Sequence, residues 1–445
     1  MIAKLKSLRN NQTLSKYFKN TSWMLADKLI RMGIVLLVNI LVARYLGPDN
    51  FGLLAYSISL VSILSITTHM GLSGLVVKEL VSFPYESGEI LATVFYLKLL
   101  GSIIGFVLLL GLNIYTEEIF SINFFVLLVI SFSIFLKPFE AIDFWFLANV
   151  QAKYTAITNT IALVITSVLK VVFIYSSLNL VWFALANFTQ SFLVAVLLIY
   201  FFYKRVKLSI QILKFSFDKA KYLLSKSWMI MLGSFFAIIY LKIDQIMLKW
   251  MIGNESVGIY AIASSLSEVW YFLPTIIVTS LFPKIIEMKD NNSIDYNKRL
   301  QQLFDLLFIL ALLVAIIVYL IADNLILLLY GKEYEMVGTI QSIHIWAGIF
   351  IFMRALFSKW IIIEDVLVFS LITQGFGALA NVVLNFILIP YYGVYGAAIA
   401  TLFSYAMASY VMLAFYAKTR GVFWMMTKAM ISPIRYIIYG LKVKV

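Results

Sequence analysis

Twelve stretches of about 20 or more mainly apolar residues run through this chain, and a soluble fold has nowhere to bury so many. They fall at 22–43, 51–75, 91–114, 121–148, 156–176, 181–203, 227–250, 257–283, 303–322, 339–363, 367–388 and 394–416. A bilayer core about 30 Å thick is crossed by roughly 20 helical residues, and in hydrocarbon every backbone amide must be bonded within its own segment. Composition agrees: 62% of the 445 residues are hydrophobic and only 13% are charged, about half the charge that a soluble surface carries. The pattern therefore predicts an all-α integral membrane protein with twelve transmembrane helices. Connections at 46–50 and 177–180 are short enough to make the helices they join antiparallel neighbours.

Basic residues orient the chain. Of 35 Lys and Arg, 24 fall on one side of the predicted membrane, three (Arg44, Lys249, Lys332) on the other and eight within spans. The excess marks the cytoplasmic side, which places both termini there. These flanking loops account for the net charge of +13, so no nucleic-acid partner is expected. The chain divides into a basic segment (1–21), a six-helix lobe (22–203), a cytoplasmic linker (204–226), a second six-helix lobe (227–416) and a basic tail (417–445). Leu208, Ile212, Phe215 and Tyr222 are spaced for an amphipathic helix on the inner surface. The tail over 421–441 reads the same way, because Lys428, Pro433 and Arg435 argue against a thirteenth span. Asp27, Lys28 and Arg31 interrupt the first run and no small-residue cleavage site follows. The first helix is therefore expected to stay as an anchor.

The two lobes repeat one plan. Gly47-Pro48-Asp49-Asn50-Phe51-Gly52-Leu53-Leu54-Ala55 matches Gly253-Asn254-Glu255-Ser256-Val257-Gly258-Ile259-Tyr260-Ala261 at both glycines and the alanine, with a constant offset of 206. Ser59 and Leu60 match Ser265 and Leu266 at the same offset, and Ser22-Trp23 resembles Ser227-Trp228. Both repeats enter the membrane in the same sense, which predicts two pseudo-symmetric lobes related by an axis along the membrane normal, with a central cavity between them.

An ionisable side chain inside a span costs about 2.5–3.5 kcal/mol even on insertion scales, so it faces a protein interior or water and marks a pathway. Arg31 lies roughly 13 Å along a helix starting near Ser22, and Asp27 shares its face at i−4. Lys28 points elsewhere and is placed to reach inner head groups. Lys170 and Arg354 each fall deep within their spans, and Lys242 lies opposite Asp244 on one helix. The fourth span carries Lys137, Glu140 and Asp143 beside Pro138, where Lys137 and Glu140 form either a self-satisfied pair or a coupling site. Glu268 is either a partner for Lys242 or a coupling carboxylate. His344 reads as an exposed helix-end residue and Lys98 as a side chain snorkelling from a span end. Arg31, Lys28, Lys170, Lys242 and Arg354 are thus the candidate ligands for a negatively charged cargo. Asp27, Glu140, Asp244 and Glu268 are the candidate coupling or structural carboxylates.

Several classes of function are not expected. With no Cys and only His69 and His344, there is little material for a metal site. No phosphate loop, H-E-x-x-H or G-x-S-x-G pattern occurs. The longest outer loop, 323–338, offers only Asp323, Glu333 and Glu335, so no enzyme is expected. No cofactor is expected beyond a coupling ion, H⁺ or Na⁺.

Four motifs carry a family resemblance. Ala43-Arg44-Tyr45-Leu46-Gly47-Pro48-Asp49-Asn50-Phe51-Gly52 resembles the hallmark of the polysaccharide-export branch, that of Wzx-type O-antigen flippases, within the multidrug/oligosaccharidyl-lipid/polysaccharide (MOP) superfamily. Ile243-Asp244-Gln245-Ile246-Met247-Leu248 with Gly253, Gly71-Leu72, and Pro390-Tyr391-Tyr392-Gly393-Val394-Tyr395-Gly396-Ala397-Ala398-Ile399-Ala400 fit as well. The resemblance implies a MATE-like arrangement of the two lobes around their cavity. It further implies transport of undecaprenyl-pyrophosphate-linked oligosaccharide from the inner to the outer leaflet of the bacterial cytoplasmic membrane. Partners would be that lipid-linked sugar, membrane lipids, a polysaccharide polymerase and other assembly proteins. Twelve helices suit this branch better than the lipid II flippases, which carry two more. The competing reading is an ion-coupled multidrug exporter of the same superfamily, whose cationic cargo would favour an acidic interior.

Overall fold

The computed structural model describes residues 12–205, 214–290 and 294–436, and these fold as helices joined by tight turns. The first unit, up to Phe235, holds α1 (Gln12–Leu64), α2 (Ile66–His69), α3 (Leu72–Ser82), α4 (Ser87–Thr116), α5 (Ile122–Ser131), α6 (Glu140–Ala148), α7 (Ala152–Tyr175), α8 (Leu180–Arg205) and the start of α9 (Phe217–Met251). The second unit holds the rest of α9 with α10 (Asn254–Glu268), α11 (Phe272–Asp290), α12 (Tyr296–Tyr330), α13 (Glu335–His344), α14 (Ala347–Ile363), α15 (Leu367–Ser409) and α16 (Arg420–Met430).

Among the described residues nine helical runs are long and apolar enough to cross a membrane, or ten if the bent pair before and after His344 is one span. Two of these runs, Lys28–Ser82 and Val368–Ala414, are about twice the length a bilayer needs. Each is broken inside by a glycine in a non-helical conformation, Gly47 at φ 71°, ψ 170° and Gly393 at φ 58°, ψ −135°. The twelve crossings expected from the sequence are reached only by counting both sides of each break.

The internal repeat is visible in the backbone. Gly47 (φ 71°, ψ 170°) and Gly253 (φ 130°, ψ −178°) both adopt an extended backbone at positive φ, a region open essentially to glycine alone. Pro48 then starts the next helical segment, where its missing N–H costs nothing. Farther along, the segment after Gly47 leaves α geometry at Ser65, and the segment after Gly253 tightens into a 3₁₀ turn at Val269–Tyr271. Ser65 and Tyr271 are separated by the same offset of 206 found in the motifs.

The first unit's break is the sharper. Met70 and Gly71 both take left-handed conformations, and the hydroxyls of Ser65, Thr67 and Thr68 bond back to carbonyls of the preceding turn. Helix α4 passes close to this kink through Gly101 and Gly105. A Cβ at Gly101 would run into the Thr67 carbonyl, and one at Gly105 would meet Thr67 Oγ1 and Ile134 Cδ1 at 2.5 Å. The spacing Gly-x-x-x-Gly is the small-residue seam that lets membrane helices approach closely. Gly71 itself faces the amide of Met231 on α9, where an added Cβ would come within 2.5 Å.

Leu208 and Ile212 of the predicted surface linker lie outside the described residues, and from Phe217 onward the chain belongs to α9. That helix is tied to the first unit by Ser216 N–H donating to Thr93 Oγ1 (3.0 Å), by Tyr222 Oη donating to Glu79 (3.2 Å) and by the Lys219–Glu86 ion pair. In the tail, α16 buries Val422, Met426 and Ala429 in a core that includes Leu300 and Phe304 of α12. Arg435 and Tyr436 then bond Asp305.

Candidate functional site

Charged residues inside the spans sort into two kinds. In the first unit Glu140 is the hub of a compensated cluster. Lys98 donates to it at 2.8 Å and Lys137 at 2.9 Å, with His69 Nδ1 4.0 Å away. Lys98 is wholly buried at 0% exposure, its ammonium 5.1 Å from the centre of the Phe144 ring, rather than snorkelling as the sequence suggests. Pro138 explains how Glu140 reaches it: the fourth span runs as a 3₁₀ helix over Phe132–Phe139 and returns to α at Glu140, which turns the carboxylate toward α4. Asp143 on the next turn accepts a hydrogen bond from Thr155.

Two other cations have no carboxylate partner among the described residues. Lys170 on α7 reaches only Asn187 Oδ1, at 3.4 Å. Arg354 on α14 donates Nη1–H to the Ala408 carbonyl at 3.0 Å and approaches Thr373 Oγ1 at 3.5 Å. Ala408 lies in the last turn of α15, so the guanidinium meets an orphan carbonyl at the negative end of that helix. Lys242 and Glu268 are both half-buried and within electrostatic reach, but no ion pair closes between them. Lys28 is exposed and Arg31 half-buried on α1; the side chain of Asp27, and with it the expected pair with Arg31, lies outside the described residues.

The second unit contains a buried polar node around Asp244, which is 2% exposed. Its Oδ2 accepts from Tyr260 Oη at 2.7 Å and Thr401 Oγ1 at 2.8 Å, and these hydroxyls lie 2.8 Å from one another. Thr401 also sits 2.9 Å from the Ala397 carbonyl. Asn385 donates to Oδ1 and to Asn381 Oδ1, the latter at 3.1 Å. Two hydroxyl hydrogens cannot serve all the oxygen–oxygen contacts that Tyr260 and Thr401 make. An ionised carboxylate this deep is costly without a positive charge beside it, and no cation pairs with Asp244 among the described residues. His344 is also buried here, edge-on to Tyr260 at 5.9 Å, which corrects the expectation of an exposed helix-end residue.

Sequence reading singled out Asp244 but missed its ligands. Asn381 and Asn385 were the available signal, two amides at i, i+4 in an otherwise apolar helix. Tyr260 and Thr401 had no such mark, because only folding brings them to the carboxylate.

A bundle of membrane helices in two repeated units, with uncompensated cations and a buried carboxylate node inside it, defines a multi-pass membrane protein of transporter type. Residues 17–289 match the family model described as polysaccharide biosynthesis protein, and the chain belongs to that family. A probable flippase, AglR, from Haloferax volcanii is 30% identical over 176 residues, 38% of this chain, and the match spans 36% of that relative's length. Among solved structures, an inward-facing MATE-family multidrug transporter of the MOP superfamily superposes with a TM-score of 0.70 at 14% identity, covering 89% of this chain and 96% of that one. The lipid II flippase MurJ in an inward closed conformation also gives 0.70, at 16% identity, with 93% and 91% covered. A MOP transporter from Pyrococcus furiosus, described as having a binding pocket of reverse polarity, gives 0.59 at 14% identity with 94% of both chains covered. At these identities the likeness is one of fold, and the fold is that of the MOP transporters.

Proposed function

We propose that the chain is a flippase for an undecaprenyl-pyrophosphate-linked oligosaccharide, the repeat unit of an O-antigen or similar surface polysaccharide. It moves this cargo from the inner to the outer leaflet of the bacterial cytoplasmic membrane by alternating access, with both termini cytoplasmic. The observation that carries the reading is the pair of uncompensated cations inside the spans, Lys170 and Arg354. Lys and Arg bind phosphate through charge-assisted hydrogen bonds, whereas a cationic drug would be repelled by them. Membership of the polysaccharide biosynthesis family and the match to a probable flippase support the same cargo class.

Asp244 is the coupling carboxylate in this reading, taking up H⁺ or Na⁺ from the gradient that drives the cycle. The polyprenyl tail stays in lipid, and a polymerase and other assembly proteins take the sugar on the outer side.

The test is the fate of the lipid-linked oligosaccharide in cells lacking the protein. Accumulation of the intermediate facing the cytoplasm, with loss of surface glycan, is the expected result. Unchanged surface glycan with raised sensitivity to cationic drugs would instead identify a multidrug exporter.

A further inference from the structure

In the second unit, two buried phenol hydroxyls have no hydrogen-bond partner among the described residues, those of Tyr240 on α9 and Tyr271 just before α11. Ser409 Oγ at the end of α15 is likewise unpartnered. Buried polar atoms are almost always bonded, so several unpaired hydroxyls in one region call for an explanation. Tyr240 and Ser409 lie beside Arg354. Tyr240 stacks edge-on to Tyr405 at 4.1 Å, and a Cβ added at Gly377 would touch both Tyr240 (3.6 Å) and Ala408, whose carbonyl holds Arg354. Tyr240 and Ser409 approach one another without completing a hydrogen bond.

Tyr271 lies farther along α14, its ring 3.7 Å from the position of a Cβ on Gly348. Gly348 is six residues from Arg354, about 9 Å along the helix axis. Beside Tyr271 is Glu268, which closes no hydrogen bond or ion pair among the described residues, although Lys242 and Asp244 lie within its electrostatic reach. One end of the cluster is therefore cationic and rich in donors, while the other pairs a donor with a carboxylate acceptor.

We infer that this cluster binds the junction between the pyrophosphate and the first sugar of the cargo. Arg354, Tyr240 and Ser409 take phosphate oxygens, and Tyr271 and Glu268 take sugar hydroxyls. Phosphate oxygens only accept, which suits a guanidinium and two hydroxyls. A sugar hydroxyl both donates and accepts, which suits a phenol beside a carboxylate. The assignment rests on the flippase reading and adds to it the part of the cargo that each residue holds.

The experiment measures binding to the purified full-length protein in detergent by intrinsic tryptophan fluorescence. The probes are farnesyl pyrophosphate, which has no sugar, and the same lipid pyrophosphate carrying one N-acetylglucosamine. Y240F is expected to weaken both probes about tenfold, the effect of one hydrogen bond to a charged group. Y271F is expected to weaken only the sugar-bearing probe. Each variant deletes an unpartnered hydroxyl, so each should unfold at the parent temperature or above it, which separates lost binding from lost folding. Unchanged affinities in both variants would overturn the subsite, as would equal loss of both probes in Y271F. Competition by phosphatidylglycerol at the concentration of the probe would also overturn it, because the site would then be one for lipid head groups. None of these outcomes touches the cellular accumulation test, so the subsite can fail while the flippase reading stands.

Discussion

Lys98 and Glu140 show what one buried pair does in this protein. Lys98 has no exposed surface, so its charge depends on the carboxylate 2.8 Å away. Removing one partner of a buried pair costs about 3–5 kcal/mol, whereas replacing both by apolar groups of similar volume is often neutral. Glu140→Gln should therefore lower the apparent unfolding temperature clearly, and Lys98→Met in the same chain should restore most of it. A double variant that also keeps transport would mark Glu140 as structural and remove it from the coupling candidates. Arg354 is the opposite case, since only carbonyl and hydroxyl oxygens meet it. Arg354→Ala and Lys170→Ala should each abolish glycan export at normal membrane abundance, read by surface glycan staining and immunoblot. Full export in both would remove the cationic-site argument.

Two of the glycines of helix α4 differ in what surrounds them. Gly101 presses against the carbonyl of Thr67 at the kink, while Gly111, ten residues on, has nothing within 4 Å of an added Cβ. A methyl group at the first position must push backbone apart, and overpacking of this kind costs about 1–3 kcal/mol. At the second it fills open space in a helix, where Ala is favoured over Gly by roughly 0.5–1 kcal/mol. Thermal unfolding in detergent should accordingly rank Gly111→Ala at or above the parent and Gly101→Ala below it. Equal midpoints would mean that α4 does not depend on the close seam at the kink. The same comparison explains why the sequence marks this helix poorly: Gly101-Ser102-Ile103-Ile104-Gly105 reads as ordinary apolar span until its neighbour is known.

Gradient coupling belongs to the molecule as a whole, because an ion bound at one node must bias a transport cycle. Asp244 on α9 draws its ligands from α10 and α15, so binding there couples three helices of the second unit. Asp244→Asn preserves size and removes the charge. It should leave the protein folded and abolish the response of transport to an imposed Na⁺ or H⁺ gradient in proteoliposomes. Persistence of that response would move the coupling site elsewhere.

Sequence alone determined the membrane class, the helical fold, the repeat and the family, because each is written in local signals. Hydrophobic run length, Lys and Arg counts and matched glycine motifs need no knowledge of neighbours. Gly47 and Gly253 illustrate this, since the backbone they require excludes other residues. Which ionisable groups are compensated was decided only by the tertiary structure. Lys98 and Arg354 look alike in sequence, each a single cation in an apolar helix. One meets a carboxylate 42 positions away and the other a helix-end carbonyl 54 positions away. A charge inside hydrocarbon is neutralised, or left available for cargo, by whatever side chain the fold brings within about 3 Å, and that distance is set by helix packing rather than by spacing along the chain.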